Sequence, residues 1–125
     1  MKLKALDQRQ AGILLPLFSL PGKHGIGDLG KEAYEFVDLS AQAGFSIWQI
    51  LPLNPSISGN SPYTPYSSFA GDEIYISLEL LKDWHLLDEV PNYLQDLKKV
   101  DYKRVRLFKN RYLRKAYQVF LKDKE

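Results

Sequence analysis

The segment from Ser61 to Gly71, SPYTPYSSFAG, sets three aromatic rings, Tyr63, Tyr66 and Phe69, at three-residue intervals among serine and threonine hydroxyls. Sugars ask for that combination, because a pyranose offers an apolar face that stacks on an aromatic ring and a rim of hydroxyls that needs donors and acceptors. Aromatics in a long loop also pin it to the domain body, and on composition alone that packing role comes first. A second pattern is Gly25, Gly27 and Gly30, a literal GxGxxG ahead of a helical stretch. In a dinucleotide fold such glycines bring a pyrophosphate onto a helix N-terminus. The spacing here is wrong for that: Pro21 and Gly22 intervene between the preceding apolar run and Gly25, and the next apolar run ends Gln49, Ile50, Leu51, Pro52 without a carboxylate for a ribose hydroxyl. The loop is read instead as one that turns the chain into its helix.

The acids Asp28, Glu32, Asp38, Asp72 and Glu73 are the candidates for general acid and base. Only Asp28 and Asp72 fall in loops near strand ends, and Asp28, just ahead of a helix, is expected to cap its first turn. His24 and His85 have no partner at metal or catalytic spacing. The chain has no cysteine, which excludes disulfides, thiolate metal sites and cysteine nucleophiles and fits a reducing compartment. From Lys98 to Lys124, eleven Lys and Arg stand against only Asp101 and Asp123, yet they alternate with an apolar face, the pattern of a solvated outer helix. Over the whole chain, 17 basic and 15 acidic residues leave a net charge of +2, too small to imply nucleic acid or an anionic membrane as partner. No apolar run approaches the roughly 18 residues of a membrane span, and MKLKALDQRQ lacks the apolar stretch of a signal peptide, so a cytoplasmic location is expected.

These side chains must be held by an α/β arrangement. Gly12 to Leu17 and Ser46 to Leu53 are continuous apolar runs of strand length, expected to be buried strands. Between them, Lys31 to Ala43 sets Ala33, Phe36, Val37, Ser40 and Ala41 on one helical face, and Gly44 stands where a left-handed C-cap belongs. The result is a βαβ unit with a parallel strand pair and a right-handed crossover. After Leu53 come nineteen residues, Asn54 to Asp72, with three prolines, two glycines and six serines or threonines. A loop that long at a strand C-terminus usually carries function. All eight glycines and six of seven prolines precede position 72, and the rest reads as helical. Glu73 to Leu81 is expected as a short strand running into a helix, and Pro91 to Lys99 as a short helix. Asp101 is the expected N-cap of a long helix with Val105, Phe108, Tyr112, Ala116 and Val119 or Phe120 along one face. At 125 residues, 45% hydrophobic and 26% charged, the chain has the composition of one globular domain or part of one. A parallel barrel takes about 250 residues.

In order, GILLPLFSLPGKHGIGDLG, AGFSIWQILPLNP, GNSPYTPYSSFAGD and VDYKRVRLFKNRYLRKAYQVF resemble the start of the amylomaltases, the 4-alpha-glucanotransferases of glycoside hydrolase family 77, from about Gly12 to Phe120. The resemblance implies the N-terminal part of a (β/α)8 TIM barrel of the α-amylase type, its first two strands plus a helical insertion. Residues 1–71 would hold the first βαβ unit and the substrate loop, and residues 72–125 a mainly helical insertion. It further implies transfer of α-1,4-glucan segments between maltodextrins with retention, α-1,4-glucans and maltooligosaccharides as partners, and no metal or organic cofactor. Retention needs a nucleophile and an acid/base carboxylate about 5 Å apart. In the family these come from later strands with no counterpart here, so the chain alone is expected to be inactive. The substrate-binding residues carried over are Tyr63, which in these enzymes lies beside the sugar ring at the cleavage point, and Ser61 near it. The π face of such a ring would stabilise an oxocarbenium-like charge. Some relatives place a tyrosine of a second glucan site where Ser58 stands, and a proline and an aromatic where Lys23 and His24 stand. The alternatives are a stand-alone carbohydrate-binding module using Tyr63 and Tyr66, or a nucleotide-binding βαβ domain using the glycine loop. Two adjacent parallel strands with open edges cannot close a core, so the isolated chain is expected to expose apolar surface and aggregate.

Overall fold

The structure, a computed structural model, describes residues 8–57, 59–93 and 98–122. Two three-residue strands, β1 (Gly12–Leu14) and β2 (Ile47–Gln49), pair in parallel with Ile13 opposite Trp48. The pairing is extended at its ends by Ser46 N–H donating to Ala11 O (3.1 Å) and Leu15 N–H to Gln49 O (3.0 Å). Both strands stop well short of the expected Leu17 and Leu53. Pro16 follows Leu15, has no N–H for the ladder and instead leads into a 3-10 turn at Leu17–Ser19, while Pro52 ends the second run. The expectation of buried strands also needs correcting, since Leu14 is 58% exposed and Ile47 46%. Among the described residues, the helix ring packed on the strand pair is Phe36 of α1, which meets Trp48 edge-on at 4.9 Å between ring centroids.

Helix α1 (Lys31–Gln42) lies where the apolar spacing puts it. Gly30 is its N-cap, and it ends in a Schellman arrangement: Gly44 N–H donates to Ala41 O and Phe45 N–H to Ser40 O, each at 3.0 Å. Gly44 has φ +88°, the left-handed geometry that a residue without Cβ adopts freely. Ala33 and Ser40 are buried and Phe36 half-buried, but Val37 of the expected face is exposed.

The expected strand at Glu73 is a 3-10 turn, Glu73–Tyr75. Consecutive Ile74 and Tyr75 are both buried, which the alternating side chains of a strand do not allow on one face. Helix α2 (Leu78–Asp83) follows, its Ser77 N-cap accepting from Leu80 N–H at 3.3 Å. Helix α3 spans Tyr102–Lys122, and Asp101 caps it by accepting from Arg104 N–H at 3.1 Å. Val105 and Ala116 of the expected face are buried, whereas Val119 and Phe120 are exposed. Of the short helix expected over 91–99, residues 94–97 lie outside the described residues, as does Ser58; residues 91–93, 98 and 99 are not helical. The larger core forms where the segment after β1 (Leu17, Leu20, Ile26) meets α1 (Ala33), the 3-10 turn (Ile74, Tyr75) and α3 (Val105). A smaller one joins Leu78, Leu87 and Ala116.

Candidate functional site

The long connection after β2 closes on itself at its neck. Asp72 N–H donates to Leu53 O at 2.8 Å, and Asn54 Nδ2 donates to Ala70 O at 2.8 Å. Inside the neck, Ser56 and Pro65 form an antiparallel bridge, with Ile57 N–H on Thr64 O (3.0 Å) and Tyr66 N–H on Pro55 O (3.3 Å). Gly59 and Asn60 turn the chain at φ +67° and +53°. A loop with its ends joined and its interior self-bonded is an Ω-like element, held as a unit rather than trailing from its strand.

Within it, Ser61 organises the turn that presents Tyr63. Its Oγ accepts from Tyr63 N–H and its carbonyl oxygen accepts from Thr64 Oγ1, both at 3.3 Å. Ser67 Oγ does the same for Phe69 N–H (3.3 Å) and Ala70 N–H (3.2 Å). Hydroxyls that bond backbone two or three residues on are the ordinary currency of such turns. The rings, by contrast, point outward: Tyr63 is 69% exposed, Tyr66 66% and Phe69 100%. They do not pack against the body formed by the described residues. Three accessible aromatic faces, with hydroxyls between them, form a surface of the kind a sugar stacks on.

Asp28 and Asp72 are tied elsewhere. Asp28 does not cap α1, where Gly30 is the N-cap and no side-chain oxygen reaches the first turn. It accepts instead from Lys109 Nζ at 2.8 Å, and the same amine donates to Ile74 O at 2.6 Å. Lys109 is 0% exposed and Asp28 is buried. Burial pushes the Asp28 carboxyl up and the Lys109 amine down, each against the mutual attraction that favours the charged forms. Asp72 accepts from Ile74 N–H at 3.0 Å, capping the 3-10 turn, and takes both guanidinium nitrogens of Arg106, Nη1 at 2.7 Å from Oδ1. Neither acid stands free for general acid–base work. His24 is buried against the Phe108 ring, centroids 6.0 Å apart, and burial followed by Lys109 lowers its pKa to about 4.

The glycine loop is accounted for by packing. A Cβ on Gly27 would lie 2.2 Å from Leu17 O, and one on Gly22 2.4 Å from Ile26 O. Gly27 N–H donates to Phe18 O and Leu29 N–H to Tyr75 O. Those amides are thus turned on protein carbonyls rather than toward a phosphate. Among the described residues no group of three or more His, Cys, Asp or Glu could hold a metal ion, and no helix is long and apolar enough to cross a membrane.

The sequence places Arg106 and Lys109 in a solvated basic face, whereas the structure sets each on a carboxylate. The signal was present: Lys109 stands four after Val105 and seven before Ala116, inside the apolar stripe of α3, where a lysine must find a partner.

Comparison with known proteins identifies the relatives of the chain. The family model for 4-alpha-glucanotransferase matches residues 15–125. A 4-alpha-glucanotransferase of Aquifex aeolicus is 46% identical over 119 residues, covering 90% of this chain and 24% of the relative. That of Synechocystis is 43% identical over 120 residues, covering 92% and 23%. The chain thus spans about a quarter of the length of these relatives. Among solved structures, the amylomaltase of Streptococcus agalactiae in complex with acarbose superposes with a TM-score of 0.86 at 37% identity, over 92% of this chain and 24% of that one. By the family match over residues 15–125, the chain belongs to the 4-alpha-glucanotransferases of glycoside hydrolase family 77.

Proposed function

We propose that the chain is the N-terminal part of an enzyme that transfers α-1,4-glucan segments between maltodextrins with retention, and that Tyr63, held by Ser61, contacts the sugar. In this reading β1 and β2 are the first two strands of an α-amylase-type (β/α)8 barrel. Residues 1–71 then form its first βαβ unit and substrate loop, and residues 72–125 a mainly helical insertion. The loop leaves the C-terminal end of β2, the side on which barrel enzymes gather their sites. The observation that carries the proposal is the outward display of Tyr63 on a loop closed at its neck. The amylomaltase neighbour was solved with acarbose, which supports a glucan-type ligand for this chain as well. The nucleophile and acid/base carboxylates belong to parts of the relatives that the chain does not span. Cytoplasmic residence belongs to the same proposal, and the lack of cysteine suits it.

The tyrosine's part is electrostatic and positional. A ring face beside the anomeric carbon favours the positive charge that develops there, an interaction of about 0.5–2 kcal/mol. Tyr63→Ala in the full-length enzyme should therefore lower maltotriose disproportionation by about two- to thirty-fold. An unchanged rate would remove Tyr63 from the site.

A further inference from the structure

The substrate loop is closed at its neck, and the neck itself is held from outside by α3. Asp72 is the residue where both facts meet. Its N–H closes the loop onto Leu53 O, and its Oδ1 caps the 3-10 turn. Its two carboxylate oxygens take the two terminal nitrogens of Arg106, thirty-four positions later in the chain. Arg106 Nη1 also lies 3.6 Å from Glu73 Oε1. The Asp72 side chain is 5% exposed and that of Arg106 29%, so the pair is shielded on the acid's side and accessible on the base's. A planar guanidinium gripping a carboxylate by two parallel bonds fixes orientation as well as distance, which a single-point cation does not.

We propose that Arg106 is a positioning residue for glucan binding: through its two-pronged grip on Asp72 it sets the angle at which the loop presents Tyr63. This rests on the reading of Tyr63 as a sugar-contacting residue. Within the loop, the bonds from Ser56–Pro65 and from Ser61 and Ser67 keep the loop's internal shape. They do not fix its inclination to the body; the neck does, and there, among the described residues, a side chain from another element, Arg106, grips Asp72. Without the guanidinium, the neck retains the Leu53 and Asn54 bonds, so the loop stays formed but pivots. Small pivots at the base become larger displacements at the rings, and displacements of about 1 Å at a reacting centre can cost a hundredfold in rate. Because the ring acts on the charge that develops at the anomeric carbon, the loss should fall mainly on kcat.

The test is steady-state kinetics of maltotriose disproportionation by the full-length enzyme carrying Arg106→Ala, Arg106→Lys, Asp72→Asn, the Arg106→Ala/Asp72→Asn double variant and Tyr63→Ala. Arg104→Ala, altering an exposed cation on the same helix, is the control. Expected are a fall in kcat for Arg106→Ala of up to the roughly two- to thirty-fold expected of Tyr63→Ala, with KM within about threefold, and a smaller fall for Arg106→Lys. The double variant should be no worse than Arg106→Ala alone, because one interaction is being removed twice. Hydrogen exchange adds a readout independent of activity: amides of residues 54–57 and 59–71 should exchange faster in Arg106→Ala while those of α1 do not change. An additive double variant, an equal fall in kcat across the Arg106 series, or unchanged exchange in the loop overturns the proposal. If Tyr63→Ala is impaired and Arg106→Ala is not, the positioning role fails while the glucan site stands. If Tyr63→Ala is silent, the reading beneath it fails and the inference falls with it.

Discussion

Replacing Lys109 by Met asks whether the buried ion pair holds α3 to the segment after β1. The amine lies 2.8 Å from Asp28 Oδ2 and 2.6 Å from Ile74 O, and none of its surface reaches solvent. Methionine fills most of the stem's volume, so the change is chiefly electrostatic: Asp28 stays buried without a counter-charge, and the Ile74 carbonyl loses a donor. Breaking one side of a buried pair costs about 3–5 kcal/mol. Each 1.4 kcal/mol is about a factor of ten in an opening equilibrium. Amides of Tyr102–Lys122 that exchange by release of this helix should then exchange about two to four decades faster in the full-length protein. Adding Asp28→Asn removes the stranded charge and should recover at least half of the loss on the same logarithmic scale. The pH dependence has a definite sign. Burial already raises Asp28, and loss of the lysine raises it further, so the folded state binds a proton more readily than the unfolded one. Compared with wild type, the variant's deficit should therefore be full above that raised pKa and shrink as pH falls toward the unfolded carboxylate's value near 3.9. Exchange in α3 within threefold of wild type, or no recovery on adding Asp28→Asn, would refute the reasoning.

Further outcomes are expected. His24, lowered from 6.5 to about 4, should show no imidazole titration by NMR between pH 8 and 5.5; a midpoint near 6.5 would contradict its burial against Phe108. Since the unfolded form takes up the proton first on acidification, neutral His24 contributes stability above pH 6.5 that is lost as pH falls toward 4, about 3 kcal/mol in all. In Lys109→Met the His24 midpoint should move upward, because a neighbouring positive charge is gone. The 125-residue chain expressed alone, with Leu14, Ile47 and Phe69 exposed and both strand edges open, should scatter light and bind a hydrophobic dye at micromolar concentration; a monodisperse species with a cooperative melt would count against this.

Much of the scaffold was legible because it is written in local rules. The helical spacing from Ala33 to Ser40, the C-cap at Gly44 and the Asp101 cap each follow from contacts within a few residues, and each stands where expected. The strand lengths were overestimated because apolar composition was read without the proline at 16 that ends the ladder. The stretch from Glu73 was read as a strand because Ile74 and Tyr75 suit one, but their shared burial beneath α3 selects a 3-10 turn.

The site divides along the same line. That Tyr63, Tyr66 and Phe69 sit among hydroxyls in a long loop after a strand is a property of the sequence, and so are the ordered segments that resemble family 77. Whether those rings face the body or the solvent depends on surfaces that meet only after folding, and the structure turns them outward. Asp28 reads as a helix cap and Lys109 as one cation among eleven; the place of Lys109 in the apolar stripe of α3 shows that it needs a partner but not which one. Eighty-one residues apart, they become a pair only when α3 is laid across the segment after β1. Sequence alone determined the two longer helices with their caps and the chemistry available, since these rest on near neighbours; tertiary structure decided the strand lengths, the turn at Glu73 and which charges are buried together, since burial is a property of the packed chain.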